Sequence, residues 1–426
     1  MGGKASILLV MGFSIVLSYI SFNMNSFSTQ AIGNMSSYFD ATASHNLALA
    51  GANTGLAKFY QDTTWVNSTL TQSFNSTLMR GAFAVRVTTI GMDKLMLRSI
   101  SQYLSAATGF IYDTVEVYFT RRKLNSFSMY AWMTNFEGNV FWITGDTVWG
   151  RVHSNGNLHV NGKPTFMEKV TVAKGFDPKV GKGTNKAIFK NGYESGVAEI
   201  PYPDDFTEIV NASTSGGRHY AGNIYVTLSG GSASSGDGMA YIRSSSTGPV
   251  VDSVSLNDPS FNGVIMGEQR VYVEGKVDGK LSILANTDVY ITNDITYEQN
   301  PQTTSSDDVL GLIAENDLIV ANNAANNSNC VIQAAVFSRT GSFRAEDYNT
   351  RGIAGELHLL GSIVQDERGA VGQFSGSTLT SGFSKRYRFD GRFADPTYRP
   401  PYFPGYYTPT LAIANWWESY RVTQAN

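Results

Sequence analysis

An uncharged stretch near the N-terminus constrains this chain more than any other feature. No residue between Lys4 and Asp40 carries a formal charge, and Ala5–Phe22 is apolar apart from its serines. A helix needs about 20 residues to cross the hydrocarbon core of a bilayer, and roughly 17 suffice. Ala5–Phe22 therefore predicts a membrane span with a small margin. The side chains predicted to enter apolar surroundings are Ile7, Leu8, Leu9, Val10, Met11, Phe13, Ile15, Val16, Leu17, Tyr19, Ile20 and Phe22.

The sequence after this span favours retention over removal as a signal peptide. Thr29–Ala31 is a weak cleavage site, and the apolar run is longer than the 7–15 residues usual in a signal. No proline occurs between Asn23 and Tyr60, and apolar residues recur there mostly at spacings of three or four. We therefore predict one N-terminal helix over residues 1–60, apolar first and amphipathic later. The apolar face predicted for the amphipathic part comprises Ile32, Met35, Phe39, Leu47, Ala50, Leu56 and Phe59.

The start MGGK, the apolar half-helix and the segment ATASHNLALAGANTGLAKFY (Ala41–Tyr60) together resemble the N-terminal helix of type IV pilins and pseudopilins, in particular PilX-type minor pilins. Major pilins carry a glutamate five residues after the processing site. Here Ile7 or Leu8 occupies that position, which fits a PilX-like or K-type pseudopilin better. The resemblance implies burial of the helix in a membrane before assembly and in a filament core afterwards. Copies of the chain or other pilin-like subunits would then be its partners.

Composition indicates a β-rich protein and excludes some functions. The 426 residues include 42 glycines and only 16% charged residues, a blend typical of strands joined by tight turns. The net charge of −3 offers no basic surface for nucleic acid. Cys330 is the one cysteine, so no internal disulfide or thiolate metal site is possible, and we predict that it is a buried small residue. Five scattered histidines form no metal motif.

Residues 61–124 are predicted to form a small antiparallel meander. Three runs alternate apolar and polar side chains, as half-buried strands do: Gly81–Gly91, Lys94–Leu104 and Ile111–Arg122. Short connections favour pairing of consecutive strands. A long helix followed by such a meander resembles the pilin fold.

Residues 125–395 change to short apolar runs separated by Gly, Asn and Asp. The pairs Val271/Val273, Leu281/Ile283 and Val289/Ile291 repeat at intervals of ten and eight residues. We interpret this as a β-solenoid of the right-handed β-helix type, with a Gly/Ser-rich insertion near 176–260; a β-sandwich is the competing interpretation. The stretch Gly150–Gly162 and the closing runs YRFDGRF and PPYFP resemble an uncharacterised bacterial β-helical surface domain, which implies architecture but no activity.

The segment 396–426 combines five prolines with many aromatic residues. Proline stiffens extended chain, so a tail that folds back over the head is predicted. Its aromatics either cap the open end of the solenoid or form a patch for adhesion or subunit packing. The candidates for an interface are Tyr402, Phe403, Tyr406, Tyr407, Trp416 and Trp417.

Acidic residues are the only candidates for catalysis. Asp204–Asp205 and Asp307–Asp308 lie in turn-rich contexts, where aspartate satisfies local backbone groups. Asp288, Asp294 and Glu298 could line a groove of a β-helix that acts on polysaccharide. No nucleophile elbow, phosphate loop or calcium loop is present in the sequence. We expect no catalytic residue, cofactor or metal.

The sequence therefore predicts a mainly β protein with a long N-terminal helix, a pilin-like meander and a β-solenoid head. The expected role is that of a structural subunit of a type IV pilus-like filament on a bacterial surface, anchored in the inner membrane before assembly. Surface glycans would be a further partner if the head is adhesive. The alternatives are a membrane-anchored β-helix protein that binds or acts on polysaccharide, and an anchored surface protein that never polymerises.

Overall fold

The protein is mainly β, with one long N-terminal helix. The computed structural model describes residues 2–62, 65–76, 80–91, 94–231, 237–376 and 378–424. The chain divides into two compact units. The helix unit comprises Met1–Lys123 together with Tyr407–Asn426, and the strand unit comprises Leu124–Tyr406.

Helix α1 (Gly2–Gln61) contains no proline and ends with Lys58 in its last turn, where a cation complements the helix dipole. Its C-terminal part buries one face in the core of the helix unit. The buried apolar side chains of that face are Leu47, Ala48, Ala52, Leu56 and Phe59. Their spacings of one, three and four residues place them on a single stripe of the helix.

Four strands of the helix unit pair antiparallel in chain order: β1 (Thr69–Asn75), β2 (Arg80–Gly91), β3 (Lys94–Ser105) and β4 (Gly109–Ser126). This is the predicted meander, preceded by one additional strand. Alternate residues of β2–β4, such as Val85, Leu97 and Val117, are fully buried in the cluster that includes Phe59 of α1. The strands begin and end close to the predicted runs because strict alternation marks the buried face of a sheet.

The strand unit begins with ten short strands: β5 (Trp132–Phe136), β6 (Trp142–Ile143), β7 (Thr147–Val148), β8 (Val152–Ser154), β9 (Asn157–Asn161), β10 (Thr165–Phe166), β11 (Val170–Val172), β12 (Gly175–Asp177), β13 (Ile188–Phe189) and β14 (Tyr193–Ser195). Each strand from β5 to β11 pairs in parallel with the strand three places further along the chain. The three rows are β5–β8–β11–β14, β6–β9–β12 and β7–β10–β13.

Helix α2 (Thr207–Thr214) separates this run from a second one: β15 (Arg218–Tyr220), β16 (Ile224–Ser229), β17 (Met239–Arg243), β18 (Val250–Ser255), β19 (Val264–Gly267), β20 (Val271–Val277), β21 (Lys280–Ala285), β22 (Val289–Tyr297), β23 (Val309–Ala314), β24 (Leu318–Val320), β25 (Cys330–Ser338), β26 (Phe343–Ala345), β27 (Ile353–Glu367), β28 (Gly372–Ser375) and β29 (Thr378–Phe389). The two long parallel rows are β15–β19–β21–β23–β25–β27 and β16–β20–β22–β24–β26. Three antiparallel pairings, β16–β17, β17–β18 and β28–β29, are added to them.

The two runs meet where β27 pairs in parallel with β5, the first strand of the unit. The chain therefore enters the strand unit in the middle of a continuous parallel row. One column of buried side chains follows this row through both runs: Val170, Val152, Trp132, Ile363, Val336, Leu312, Ile283 and Ile265. The segment near 176–260, predicted as an insertion, contains strands of both runs and departs from parallel pairing at β16–β17–β18.

The last strand, β30 (Gly405–Gln424), lies beside β4 in the five-stranded sheet of the helix unit. The predicted tail 396–426 is therefore not one segment. Its first part, up to Phe403, belongs to the strand unit, and most of the remainder is a strand of the other unit. The physical reason lies in the sequence after Pro409, where no further proline interrupts the rest of β30. Proline itself is tolerated there because β30 is an edge strand.

Candidate assembly surface

The N-terminal part of α1 exposes its apolar side chains. No side chain described between residues 3 and 39 is buried, and the helix is the one in the described part of the chain that is long and apolar enough to cross a membrane. The exposed fractions of Leu8 and Phe22 both reach 72%. All twelve side chains predicted to enter apolar surroundings are among the exposed ones: Ile7, Leu8, Leu9, Val10, Met11, Phe13, Ile15, Val16, Leu17, Tyr19, Ile20 and Phe22.

The exposed part of α1 has two sections of different character. At about 1.5 Å per residue, Ala5–Phe22 extends about 27 Å, close to the thickness of a hydrocarbon core of about 30 Å. Residues 23–39 add about 25 Å in which Phe27, Ile32 and Met35 alternate with uncharged polar side chains. A bilayer that receives the first section has no room for all of the second.

The exposed part ends at Asp40, the first carboxylate of the chain. Asp40 is 6% exposed, and its Oδ2 accepts a hydrogen bond of 2.6 Å from the Ser105 hydroxyl. One turn later the Ser44 hydroxyl lies 2.9 Å from that of Ser101, and both are buried. At Asp40 the helix therefore changes from a segment with exposed side chains to one that hydrogen bonds and apolar packing hold on the sheet.

His45 joins three elements of the helix unit. Its Nδ1 lies 2.7 Å from Oδ2 of Asp113 on β4, and its Nε2 lies 3.1 Å from Oε2 of Glu418 on β30. A carboxylate oxygen can only accept, so both contacts are hydrogen bonds when both ring nitrogens carry a proton. The side chain thereby links α1 to β4 and to the C-terminal strand. Sequence reasoning did not identify this link, because its members are 68 and 373 residues apart.

The predicted amphipathic face of α1 is correct only in its second half. Leu47, Leu56 and Phe59 are buried as expected. Ile32, Met35 and Phe39 are 60–76% exposed, and Ala50 is exposed as well. Spacing alone could not show that no sheet lies beneath the earlier positions.

Three of the six aromatic residues predicted to form an interface are buried or half-buried. Phe403 is fully buried in a cluster with Phe337, and Tyr406 packs on Phe127 while its hydroxyl lies 2.9 Å from that of Tyr130. Phe403 is therefore not surface of the folded strand unit and Tyr406 is half-buried, and the role of these two as interface residues stays a prediction. Trp416 packs against the core of the helix unit, and the side chain of Tyr407 lies outside the described residues. The remaining two, Tyr402 and Trp417, are 38% and 60% exposed.

The acidic residues considered for catalysis hold local structure. Asp288 contacts the Arg270 guanidinium at 3.3 Å, and Asp294 accepts from the Val331 N–H at 2.8 Å. Glu298 pairs with Lys276 at 3.3 Å. Asp308 is buried and accepts from the Gly279 and Gln299 N–H groups, as an aspartate in a turn does.

Asp204 and Asp205 lie just before the start of α2. The backbone carbonyl of Asp204 accepts from Arg339. The Asp205 carboxylate accepts from the Thr207 N–H at 2.9 Å, and this bond lowers the pKa of Asp205 because it favours the ionised form.

Cys330 is buried as predicted, with no exposed surface. Burial raises the pKa of its thiol to about 12, since desolvation disfavours the thiolate. Within the part of the chain that the structure describes, no three His, Cys, Asp or Glu side chains cluster as metal ligands do.

Comparison of the sequence with protein-family models and with curated proteins finds no match. Among solved structures, the chain is similar to the competence-associated pilin ComZ from Thermus thermophilus, with 12% identity and a TM-score of 0.38. The similarity covers 89% of this chain and 98% of that pilin. A TM-score of this size is too low to transfer a fold or a role from one chain to the other.

Proposed function

We propose that this chain is a pilin-like structural subunit, which assembles through α1 into an extracellular filament on a bacterial surface and displays the strand unit as its head. The observation that carries the proposal is the division of α1. Its C-terminal part packs on the sheet of its own unit, whereas residues 5–39 carry exposed apolar side chains and no charge. Copies of the chain or other pilin-like subunits would be its partners.

The physical argument concerns what covers that surface. Apolar side chains exposed along the whole rod cost free energy in water at about 25 cal/mol per Å². A membrane covers Ala5–Phe22 before assembly, which gives the subunit a place in the inner membrane. Only neighbouring protein suits residues 23–39, where uncharged polar side chains can hydrogen-bond between helices. A bundle of such helices covers both sections, as a filament core would.

For the head we propose a β-solenoid. Most strands pair in parallel with a strand two to four places further along the chain, and a single column of buried side chains follows both runs. Both features support this interpretation. The chain would enter this solenoid at an internal coil, where β27 pairs with β5. We assign the head no catalytic role, because the candidate acids contact arginine, lysine or backbone N–H groups.

The test of the function is a charge placed in the apolar section. Leu9→Asp puts a carboxylate in the predicted span, at a cost of roughly 2.5–3.5 kcal/mol near a helix centre. Ala57→Asp is the matched control, since it places the same group on the exposed side of the packed part of α1. Sheared surface material is fractionated and viewed by negative-stain electron microscopy.

We expect filaments from the wild type and from Ala57→Asp, and none from Leu9→Asp or from a chain lacking Ala5–Phe22. Filaments from Leu9→Asp equal in number to those of the wild type would refute the proposed role of α1. Retention of every variant in the membrane fraction, with no filament from the wild type, would favour an anchored surface protein that does not polymerise.

A further inference from the structure

A groove in the strand unit lies on the outer face of three neighbouring parallel strands, β25, β27 and β29. Two rows of side chains from these strands form its floor. One row is Val331–His358–Arg386 and the next is Gln333–Leu360–Arg388. The intervening row, Ile332–Leu359–Tyr387, belongs to the core or packs against it, as strand alternation requires.

The walls of the groove come from two loops. Trp149 lines one side, and Asn300 and Gln302 line the other. The volume of the groove is about 800 Å³, within the range of about 300–1,000 Å³ typical of ligand sites. Both amide side chains are exposed. Each amide offers two N–H donors and a carbonyl acceptor.

The charges that line the groove are mostly paired. Arg386 contacts Glu356 at 2.6 Å, and His358 contacts the same carboxylate at 3.0 Å. Lys385 lies 3.5 Å from Asp146, and burial lowers the pKa of its ammonium.

Arg388 differs from these residues. It has no ion pair with any residue in the described ranges, and its guanidinium carbon lies 5.6 Å from the ring centroid of Trp149. Among the described residues that line the groove, Arg388 is therefore a cation without a carboxylate partner, and it lies over an aromatic ring.

Trp149 is 48% exposed, which is unusual for so large an apolar side chain beside a groove. An exposed indole face suits a flat ligand with one apolar face. A pyranose ring has such a face of C–H groups, together with a rim of hydroxyls that amides can bind. A uronate adds one carboxylate per ring, which arginine can bind through two parallel hydrogen bonds.

We propose that this groove binds an acidic oligosaccharide built from uronate sugars. Trp149 stacks on one sugar ring, Arg388 binds its carboxylate, and the amides of Asn300 and Gln302 bind hydroxyls. The proposal goes beyond filament assembly and does not depend on it, since every residue involved lies in the strand unit.

The charge pattern favours a uronate over a nucleic acid. A nucleic-acid strand carries a phosphate on every nucleotide, and binding it uses several cations at once. Lys385 and Arg386 already contact carboxylates, so one free cation remains for the ligand. A uronate ring that stacks on Trp149 brings one carboxylate, which matches the single free cation among the described groove residues.

The experiment is calorimetric titration of the full-length chain in detergent. The acidic probes are oligosaccharides of galacturonate, of mannuronate and of alternating glucuronate and N-acetylglucosamine. The methyl ester of the galacturonate oligosaccharide and a thymidine oligonucleotide serve as comparison ligands. The variants are Trp149→Ala and Arg388→Gln, with Trp417→Ala as a control that removes an exposed tryptophan from the helix unit.

We expect at least one acidic oligosaccharide to bind, with affinity lowered about tenfold or more by either groove substitution and unchanged in Trp417→Ala. The methyl ester has no carboxylate for Arg388 to bind, so Arg388→Gln should leave its weaker binding unchanged. A substitution that distorted the groove would weaken binding of the methyl ester as well. Circular dichroism and the thermal midpoint check that each variant folds. Arg388 is exposed, so its variant keeps the test decisive even if Trp149→Ala unfolds.

Two results would overturn the proposal. One is the absence of binding of all three acidic oligosaccharides at millimolar concentration. The other is binding, of the oligonucleotide or of any sugar, that neither groove substitution weakens.

Discussion

At the scale of single residues, one buried ion pair stands out in the strand unit. Glu137 and Arg368 contact each other at 2.8 Å, with side chains 0% and 1% exposed. Glu137 also accepts from the indole N–H of Trp132 at 3.2 Å, and the Arg368 guanidinium lies over the rings of Trp132 and Trp142. Removing one charge would leave the other buried without compensation.

We predict that Glu137→Gln lowers the free energy of unfolding by about 3–5 kcal/mol, because the Arg368 charge then has no counter-ion. Glu194→Gln is the control: the Lys169–Glu194 pair has a similar distance of 2.7 Å but is about half exposed, and its loss should cost less than about 1 kcal/mol. Denaturant unfolding measures both. Equal effects of the two substitutions would contradict the assigned importance of burial.

Asp278 makes the stability of the folded protein depend on pH. It is 3% exposed, and burial raises its pKa above the usual 3.8, with Asp308 and Asp237 adding repulsion. The folded state therefore binds this proton more tightly than the unfolded state does. Stability that Asp278 supplies when protonated is lost as the pH rises through the interval between 3.8 and its raised pKa.

We predict that Asp278→Asn stabilises the protein at pH 7 and has little effect at or below pH 3.8. Asp205→Asn should do the opposite, since the pKa of Asp205 is lowered and its ionised form contributes at neutral pH. Thermal midpoints measured from pH 3.5 to 7.5 test both. A gain from Asp278→Asn that does not grow with pH would show that its ionisation is not the cause.

Sequence reasoning found some of these residues and missed others for a physical reason. Burial of Cys330 followed from its own neighbours, an apolar run. The Glu137–Arg368 pair joins positions 231 residues apart, and nothing local marks either partner. Interactions between distant positions depend on the topology, which local patterns did not specify.

At the scale of elements, α1 approaches its sheet closely because of glycine. A methyl group at Gly55 would lie 2.6 Å from a Val85 methyl on β2 and 2.8 Å from a Leu97 methyl on β3. Gly33, in the exposed part, has no atom within 4 Å of the same position. The sheet therefore leaves no space for a side chain at Gly55, whereas the space at Gly33 is open.

We predict that Gly55→Ala destabilises the protein by about 1–3 kcal/mol through overpacking against β2 and β3. Gly33→Ala should change stability little or raise it by less than about 1 kcal/mol, because alanine favours the helix and meets nothing. Thermal unfolding in detergent measures both. Destabilisation by Gly33→Ala as large as that by Gly55→Ala would contradict the division of α1 at Asp40.

The elements also show where patterns suffice. Alternation predicted β2 and β3 to within one residue at each end, since one face of each is buried, but the predicted run Ile111–Arg122 is shorter than β4 at both ends. In the strand unit, the runs at Val271 and Val289 do pair, but Leu281 pairs with Leu310 and not with either neighbour. Intervals of eight and ten residues predict where successive strands lie. They do not predict which strands pair, because paired strands are not successive along the chain.

At the scale of the whole molecule, the chain leaves the helix unit after Lys123 and returns to it at Tyr407. The sequence predicted a change near residue 125 but not the return, because the aromatic and proline content before Phe403 suggested one continuous tail. β30 instead supplies the fifth strand of the sheet, and its Glu418 contacts His45.

We predict that a fragment Leu124–Tyr406 folds alone as a β-rich monomer, since its core is built within the strand unit. A fragment extended to residue 424 carries β30 without its sheet, exposes Trp416 as well as Ile413 and Trp417, and should aggregate. Circular dichroism and gel filtration compare the two. A disordered spectrum for the shorter fragment would contradict an independent strand unit.

The central claim is that neighbouring subunits cover the exposed part of α1, including the section beyond any bilayer. Ile32 is 68% exposed in the isolated chain and lies about 15 Å along the helix past Phe22. Cys330 is fully buried, so a maleimide reagent should label only the introduced cysteines. The comparison uses Ile32→Cys and, as an exposed control in the strand unit, Lys190→Cys.

The decisive measurement is labelling of intact surface material with a membrane-impermeant maleimide, before and after dissociation in detergent. Subunit packing predicts that Ile32→Cys is protected until dissociation, while Lys190→Cys reacts in both states. A chain held singly in a membrane would present Ile32→Cys to the reagent. Equal labelling of the two cysteines in intact material would therefore contradict the account.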